Sequence, residues 1–535
     1  MSGTTTARRV AGLLAAAVAA LSLAAAYAAP PARANENLLS FMMDDDLLLF
    51  DGFQQREYAI RYMDRSGVDG IRVTVPWKFV TGESRGRPRK RPARLTGRRA
   101  ENPRSYSVRI WDRFDDVVRL AHDHGLHVLF NVTGPGPVWA HPRAPFANRF
   151  DQPAWRPNVV SFRRFVKAVG RRYNGTWRDE NQGRRVLPKV VLWSIWNEPN
   201  QPASLAPQIA RDPRLRRSIP VAPIIYRDLY YAATGALREA GHADSAVFMG
   251  ETAPLGGFEP RIRLWPKQFI RELFCLRPDL RPYTGLEARV RRCDVLRRNG
   301  PFRVTGWAHH PYTQKNPPTL RDRSGNSINM ANIGDLPSLL DAVADRTGLI
   351  PKDLPVALTE AGWETMPPDP TRGVPLDRQS EFINRMQRLA YDHPRVIVDT
   401  QFILRDVVPR TIYRGRRNRL SQYWATWQSG LLFANGTPKP AYDAYLVPFD
   451  VRPGEGDLRF WGQVRFLAPF AKQDIYLQFR PEGSTDWELG AGPITVESAL
   501  GFWERSVPRR GPGTWRVALL FHGNPFVSRQ LPVDG

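Results

Sequence analysis

Residues 190–199 read Val-Val-Leu-Trp-Ser-Ile-Trp-Asn-Glu-Pro, an apolar run that ends abruptly in a carboxylate and a proline. A short apolar run bounded by turn residues is typical of a strand buried on both faces. Proline ends such a strand because it has no backbone N–H to offer the sheet. We therefore expect Glu198 to lie at the mouth of the sheet that contains this strand.

Seven other short apolar segments repeat this pattern along the chain. With the first run, the strand candidates are residues 40–43, 70–75, 127–131, 190–196, 246–250, 304–309, 356–360 and 396–402. Segments with apolar residues three and four apart predict helices at 54–66, 108–124, 158–173, 222–239, 336–347 and 377–391. Alternating strands and helices predict an α/β fold, a closed (β/α)8 TIM barrel with enlarged loops. The alternative, a doubly wound open sheet, usually carries an early Gly-rich phosphate turn, which this sequence lacks.

The pattern changes after Pro448. Residues 450–456 form a Pro/Gly/acidic stretch that predicts a linker, and alternating stretches follow at 459–466, 474–479 and 514–521. We expect a barrel over residues 35–449 and a small C-terminal antiparallel β-sandwich over residues 457–535. Its tryptophans, at positions 461, 487, 503 and 515, are expected in the core, with a sugar-binding platform as the alternative.

The first 34 residues predict export. Arg8 and Arg9 precede an apolar run at residues 10–29, and residues 32–34, Ala-Arg-Ala, offer a cleavage site near Ala34. A secreted or cell-surface protein with a cleaved signal peptide follows. The alternative is an uncleaved anchor, because the run is about long enough to span a bilayer.

The two cysteines, Cys275 and Cys293, are expected to form a disulfide in an exported protein, with two buried thiols as the alternative. They have no neighbouring histidines, so they do not suggest zinc, and we expect neither a metal nor an organic cofactor.

The net charge of +25 comes mostly from arginine, as the codon bias of a GC-rich genome would give. The densest basic run, residues 85–99, has no apolar period and predicts a solvated loop. Attraction to an acidic polysaccharide or an anionic cell surface is the alternative explanation of this charge. Nucleic acid is not an expected partner, since no reader motif is present.

Polar and charged residues follow three of the predicted strands. Asn197 and Glu198 end the fourth strand, His310 and Tyr312 follow the sixth, and Glu360 ends the seventh. The carboxyl ends of barrel strands meet in one pocket. Cleavage of a glycosidic bond with retention needs an acid/base and a nucleophile about 5–5.5 Å apart. The two glutamates are therefore predicted to be such a pair.

Other residues are expected to support this pair. Arg72 on the second strand, together with the His and Tyr of the sixth, can keep a carboxylate ionised and aimed. Asn197 can bind a sugar 2-hydroxyl. Sugar sites need flat apolar platforms, and we expect Trp139 and Trp427 to line the cleft. The structural alternatives are an internal ion pair for the arginine and core positions for the aromatic side chains.

In these residues, over roughly positions 39–448, the chain resembles the clan A glycoside hydrolases, which are retaining barrel enzymes with two glutamates on strands four and seven. It looks most like the cellulase-type family 5, with family 39-like features. Asn197-Glu198-Pro199 matches the Asn-Glu-Pro of the clan, which implies that Glu198 is the acid/base. Thr359-Glu360-Ala361-Gly362 is similar to the strand-seven motif, which implies that Glu360 is the nucleophile.

Further segments add to this resemblance. Gly70-Ile71-Arg72-Val73 is similar to the strand-two segment whose arginine supports the nucleophile, and His310-x-Tyr312 resembles the strand-six His-x-Tyr. Residues 430–432 and 436–442 resemble the tail after the last strand. The chain departs from the pattern at residues 131–134, where many cellulases carry histidines, and in having Trp427 only after an insertion behind strand eight.

The resemblance implies a secreted bacterial glycosidase that hydrolyses β-O-glycosidic bonds of a polysaccharide or oligosaccharide by double displacement, without a cofactor. The expected partner is the carbohydrate substrate. We expect a monomer with no stable membrane insertion once the signal is removed. A non-catalytic carbohydrate-binding protein on the same barrel and a transglycosylase with the same residues are the alternatives.

Overall fold

A computed structural model of the chain describes residues 35–82, 90–145, 151–181, 183, 185–257, 262–468 and 471–534. The strands of its first part are β1 (Leu39–Met43), β2 (Gly70–Pro76), β3 (His127–Thr133), β4 (Leu192–Ile195), β5 (Ile209–Asp212), β6 (Arg217–Pro220), β7 (Ala246–Thr252), β8 (Gly306–His309), β9 (Val356–Ala361) and β10 (Val396–Phe402). All except the β5–β6 hairpin close into a parallel barrel in chain order, with β10 pairing β1. This confirms the predicted TIM barrel and each of its strands.

The α-helices are α1 (Phe53–Arg65), α2 (Trp77–Val80), α3 (Val108–Asp123), α4 (Val159–Arg172), α5 (Ala222–Glu239), α6 (Pro266–Leu273), α7 (Gly285–Val290), α8 (Asp294–Asn299), α9 (Asp335–Thr347), α10 (Leu376–Tyr391), α11 (Leu420–Tyr423) and α12 (Pro440–Leu446). The predicted helices correspond to α1, α3, α4, α5, α9 and α10 and are confirmed. The basic run at 85–99 lies partly outside the described residues. Its described part is not a plain loop, because it contains the short 3-10 helices Ala93–Leu95 and Gly97–Glu101.

The interior of the barrel holds an apolar layer to which seven of the eight strands contribute. Its buried members are Phe41, Leu129, Leu192, Phe248, Ala308, Ala357 and Val398. Two glycines make room for the rings, since a Cβ on Gly70 or on Gly306 would lie 2.6 Å from the ring of Phe41 or of Phe248. The outward faces of the strands pack on the helices, where Phe130 of β3 contacts Trp193 of β4 at a centroid distance of 5.7 Å. Burying each such ring contributes about 1.5–3 kcal/mol.

The C-terminal part consists of antiparallel strands. They are β11 (Phe449–Pro453), β12 (Asp457–Gln463), β13 (Gln473–Pro481), β14 (Glu488–Val496), β15 (Phe502–Pro508), β16 (Gly513–Phe521), β17 (Asn524–Val527) and β18 (Leu531–Val533). β11, β12 and β15 form one sheet, and the other five strands form the second. Phe460 of the first sheet and Leu477 and Val517 of the second share one buried cluster, so the predicted sandwich is confirmed. Pairing already begins at β11, within the stretch that the sequence predicted to be a linker.

The tryptophans of the sandwich are mostly core residues, as expected. Trp461, Trp503 and Trp515 are buried. Trp487 is half-buried beneath two arginines, with Arg516 4.0 Å from its ring centroid. The face of this ring is therefore already occupied by a cation.

Arg465 joins the sandwich to the base of the barrel. Its guanidinium donates to the Ser40 hydroxyl on β1 and lies 4.4 Å from the ring centroid of Tyr445. The approach depends on Gly67, where a Cβ would come within 2.0 Å of the Arg465 carbonyl oxygen. Asp399 is buried at the same place, and burial raises its pKa to about 6 although the charge of Arg465 opposes the rise.

Cys275 and Cys293 form a disulfide with an S–S distance of 2.10 Å, which confirms that prediction. Among the described residues no helix combines the length and apolarity that crossing a bilayer requires. The predicted signal peptide, residues 1–34, lies outside the described residues.

Candidate active site

Glu198 lies in a tight turn directly after β4. Trp196 and Glu198 have φ angles of +70° and +43°, a left-handed conformation that costs energy in residues other than glycine. The turn is held because the Glu198 backbone N–H donates to the Glu251 carbonyl oxygen at 2.9 Å. The Glu198 side chain remains 26 % exposed, so its carboxyl group is open to a ligand.

Glu360 lies near the end of β9 and is held by two donors. Arg72 Nη1 is 3.0 Å from Glu360 Oε1, and the Tyr312 hydroxyl donates to Oε2 at 3.1 Å. Burial, together with the charge of Glu360, raises the pKa of Tyr312 well above its usual value, so the hydroxyl keeps its hydrogen. A cation and a permanent donor therefore hold the Glu360 carboxyl group in one orientation.

The two carboxyl groups meet across His310, which follows β8. His310 Nδ1 is 3.0 Å from Glu198 Oε1 and 3.6 Å from Glu360 Oε2, and an oxygen of one glutamate lies within 4.8 Å of an oxygen of the other. This upper limit lies below the 6.5–9.5 Å spacing of inverting glycosidases and fits the shorter carboxyl spacing of retaining ones better. The structure therefore brings the predicted pair together.

A third glutamate, Glu251, completes the site from below and was not predicted. The register of β7 against β8 shifts between Gly250 and Thr252, and Glu251 itself has a φ of +49°. A β-bulge of this kind re-aims a side chain. The Glu251 carboxylate is fully buried, with Oε2 3.0 Å from Arg72 Nη2, 2.7 Å from His310 Nε2 and 2.9 Å from the Thr359 hydroxyl.

Glu251 is an anion in this environment. Burial by itself would raise its pKa, but the charge of Arg72 and the contact with His310 outweigh burial and lower it to about 2. The sequence did contain a signal for this residue, since a Gly-Glu pair directly follows residues 246–249 of the fifth strand. The predicted strand stopped at Gly250, because the bulge that extends it cannot be read from one strand alone.

Arg72 is a buried cation shared by four acceptors. Besides Glu251 and Glu360, it donates to Asn197 Oδ1 at 2.9 Å and to Met43 Sδ at 3.3 Å. Burial opposes its charge, but the two glutamates overcome this and raise the pKa of Arg72 above its already high value. The bond from Arg72 to Oδ1 fixes the orientation of the Asn197 amide, whose Nδ2 can then donate to a sugar hydroxyl.

The two neighbouring histidines have different roles. His309 is fully buried, with Nδ1 2.8 Å from the Thr252 hydroxyl and Nε2 2.9 Å from the Ile328 carbonyl oxygen. Burial lowers the pKa of His309 to about 3, so it is a neutral core residue. His310 belongs to the site. Burial would lower its pKa, but the charge of Glu360 and the bonds to Glu198 and Glu251 raise it to about 10.

The two predicted platform residues lie in different surroundings. Trp427 is 49 % exposed and contacts Phe402 at a centroid distance of 5.4 Å, and Phe402 in turn contacts Tyr312 at 6.2 Å. It therefore stands at the rim of the site. Trp139 packs edge-on against Trp77 at a centroid distance of 6.2 Å, and the guanidinium of Arg91 lies 4.9 Å from the centroid of its ring.

An aspartate after β1 also belongs to the site and was not predicted. Asp45 Oδ1 accepts from the Thr74 backbone N–H at 3.0 Å. Burial raises the pKa of Asp45 to about 6; its bonds to Thr74 and the charge of Arg72 oppose the rise, and Glu360 adds to it. The run of three aspartates at the end of the first predicted strand was the available signal.

No family model matches this chain, and no curated protein matches it. Solved structures do align with it. A family 39 glycoside hydrolase from Bacteroides cellulosilyticus WH2 aligns with a TM-score of 0.46 and 15 % identity over 90 % of this chain and 83 % of its own. GH5_18 from Streptomyces cattleya, in complex with GlcNAc, gives 0.43 and 16 % over 77 % and 79 %. A beta-glucosidase from Exiguobacterium marinum gives 0.44 and 11 % over 77 % and 98 %.

Proposed function

We propose that this protein is a secreted retaining glycoside hydrolase that cleaves β-O-glycosidic bonds of a polysaccharide or oligosaccharide. The observation that carries the proposal is the pair Glu198 and Glu360, with carboxylate oxygens within 4.8 Å of each other. Their environments differ in the way that two different roles require. Glu360 is bound by Arg72 and Tyr312, as a nucleophile needs, and Glu198 is the more exposed of the two.

The first step forms a covalent intermediate. A Glu360 oxygen attacks the anomeric carbon, the bond from that carbon to the leaving-group oxygen breaks, and the Glu198 carboxyl gives its proton to that oxygen. Arg72 and Tyr312 hold Glu360 so that its lone pair faces the sugar. Asn197 Nδ2 supplies a donor for the 2-hydroxyl, whose hydrogen bond strengthens in the transition state.

The second step releases the sugar. Glu198, now ionised, takes a proton from water, the resulting hydroxide attacks the anomeric carbon, and the bond to Glu360 breaks. Two inversions give net retention. If a sugar hydroxyl replaces water, the same residues perform transglycosylation, so product analysis separates these two outcomes.

The proposed substrate is a carbohydrate bound across the open mouth of the barrel. Trp427, exposed at the rim and linked to Tyr312 through Phe402, offers a flat apolar face for a sugar ring. The disulfide Cys275–Cys293 accords with an oxidising compartment and supports export.

The proposal is tested by measuring turnover of aryl β-glycosides and β-linked polysaccharides by wild type, Glu360→Ala and Glu198→Ala. We expect Glu360→Ala to lose at least about 1,000-fold in kcat. In kcat/KM, which reports the first step, Glu198→Ala should lose about 100- to 10,000-fold on substrates with poor leaving groups and much less on dinitrophenyl glycosides, whose departure needs no proton. Its kcat should fall with both kinds of substrate, because the second step needs Glu198 as the base. NMR of the first-formed sugar should show the β-anomer.

The matched control is Glu272→Gln. Glu272 is a buried carboxylate outside the site, paired with Arg291 at 2.8 Å. Removing this carboxylate should lower the stability of the protein, but the folded variant should keep its turnover. Binding of glycans without turnover by wild type would favour the non-catalytic alternative. An α-anomer as first product would exclude double displacement.

A further inference from the structure

The Glu251 carboxylate is placed where it cannot touch a substrate. Its side chain is 0 % exposed, beneath Arg72 and His310, whereas the Glu198 side chain is 26 % exposed. A buried charge is costly unless it is paired, and a well-packed apolar residue usually serves stability as well or better. A role for Glu251 must therefore pass through the groups that it touches.

The contacts of Glu251 determine where His310 carries its hydrogens. Arg72 and the Thr359 hydroxyl both donate to Oε2 of Glu251, which is the arrangement of an ionised carboxylate. Such a carboxylate has no hydrogen to give, so the 2.7 Å contact with His310 requires the hydrogen to be on Nε2. The Nδ1 nitrogen then faces Glu198 Oε1 at 3.0 Å.

The contact between His310 Nδ1 and Glu198 Oε1 needs only one proton. It resides either on Glu198, with Nδ1 accepting, or on Nδ1, with the Glu198 carboxylate accepting. Two titratable groups this close gain and lose protons as a unit. Glu251, His310 and Glu198 thus form a continuous chain of carboxylate, imidazole and carboxyl group across the barrel mouth.

We propose that Glu251 is a positioning residue that fixes the Nε2–H form of His310 and holds the catalytic proton in the His310–Glu198 contact. This role rests on the proposed function, because it concerns the proton that Glu198 delivers to the leaving group. The proton leaves the pair when the glycosidic bond breaks and returns from water when the intermediate is hydrolysed. His310 keeps its Nε2 hydrogen throughout.

The charges around His310 determine in which direction the loss of Glu251 would shift the pH at which the His310–Glu198 pair loses its proton. The groups that face it are Glu251 on β7, Glu198 after β4, Glu360 on β9, Tyr312 and His309 on its own segment, and Arg72, which binds two of these carboxylates. The anion of Glu251 favours the protonated pair. Without it, the repulsion from Arg72 is no longer balanced, and the pair loses its proton at lower pH.

The experiment is a pH profile of kcat/KM for wild type and Glu251→Gln, with a phenyl glycoside as the poor-leaving-group substrate. Gln keeps the volume and an acceptor oxygen but removes the charge. We expect the upper limb of the profile to move about one pH unit or more to the acid side. Activity above that limb should fall about tenfold or more. With a dinitrophenyl glycoside, which needs no proton donor, the loss should be much smaller.

Two further variants separate this role from a merely structural one. Glu251→Asp keeps the charge and should shift the upper limb less than Glu251→Gln does. Glu272→Gln also removes a buried carboxylate, but outside the site, and should leave the limb unmoved. An unchanged limb in Glu251→Gln overturns the proposal.

A second measurement needs neither turnover nor a foldable variant. Heteronuclear NMR of wild type labelled in its histidines should show His310 Nε2 carrying hydrogen at every pH where the protein is folded. A His310 with bare Nε2 overturns the proposal. If wild type turns over no glycoside, the proposed function fails, and the NMR result still decides whether His310 has the Nε2–H form that the contact with Glu251 requires.

Discussion

Replacing Arg465 by methionine is expected to destabilise the protein much more at high pH than at low pH. Arg465 is a cation that the sandwich places near the carboxyl groups of Asp399 and Asp69 at the base of the barrel, close enough for its charge to act on both. Asp399 is 3 % exposed, and Asp69 accepts from the Ser40 backbone N–H at 2.7 Å. Burial raises the pKa of each from the ordinary 3.8 to about 6, with Arg465 opposing the rise.

The direction follows from proton binding. An acid whose pKa is higher in the folded chain binds more protons when folded, so the free energy of unfolding falls as pH rises between the two pKa values. For Asp399 this window runs from 3.8 to about 6 in the wild type. The rise of the pKa of Asp399 from 3.8 to about 6 corresponds to a cost of about 3 kcal/mol above the window. Without Arg465 the pKa of Asp399 in the folded protein rises further. The free energy of unfolding therefore falls by more, and it continues to fall up to a higher pH.

The expected magnitudes differ at the two ends of the pH range. At about pH 4 the acids are mostly protonated, and Arg465→Met loses only the bond to Ser40 and the stacking on Tyr445, about 1–2 kcal/mol. At about pH 8 the buried carboxylates lose the cation that offsets their burial, and each pH unit by which their folded pKa rises adds about 1.4 kcal/mol to that loss. Urea unfolding of both proteins at the two pH values measures the difference.

The matched control is Arg452→Met in the same part of the chain. Arg452 pairs with Asp392 at the surface and is 46 % exposed, so its loss should cost less than about 1 kcal/mol at either pH. Equal destabilisation by Arg465→Met at both pH values would show that the charge of Arg465 is not what the base of the barrel requires.

Three other predictions concern single features. Trp427→Ala should raise KM about 2- to 10-fold with little change in kcat, since it removes a flat contact rather than a reacting group. Steady-state kinetics measure both constants, and an unchanged KM would show that Trp427 is not part of the substrate site. Changing both Cys275 and Cys293 to Ser should lower the free energy of unfolding by about 3 kcal/mol, because the disulfide spans 18 positions. Denaturant titration measures this, and an unchanged free energy of unfolding would contradict it. Gly67→Ala should destabilise the fold by more than about 1 kcal/mol, because Gly67 has a φ of +69° and its new Cβ would overlap the Arg465 carbonyl; an unchanged melting temperature would refute this.

Much of the fold could be predicted because its strands and helices follow from local patterns of apolar residues. The strand at 190–196 and its counterparts are apolar on both faces, as barrel strands must be, and their period and length distinguish them from the helices between them. The same reading placed Glu198 and Glu360 at strand ends, where barrels hold their active sites. The insertion of Arg465 into the base of the barrel could not be predicted. Nothing in the sequence around Arg465 or around Gly67 indicates that these two residues meet in the folded protein.

The barrel, the two glutamates at its mouth, and the positions of Arg72 on one strand and of His310 and Tyr312 after another could all be predicted from the sequence. Tertiary structure alone decided that Glu251 joins them. Its side chain turns inward because the register of β7 slips against β8, and register belongs to a pair of strands rather than to either one. Tertiary structure likewise decided that His310 lies between Glu251 and Glu198, because contacts between residues more than 50 positions apart in the chain arise only when the barrel closes.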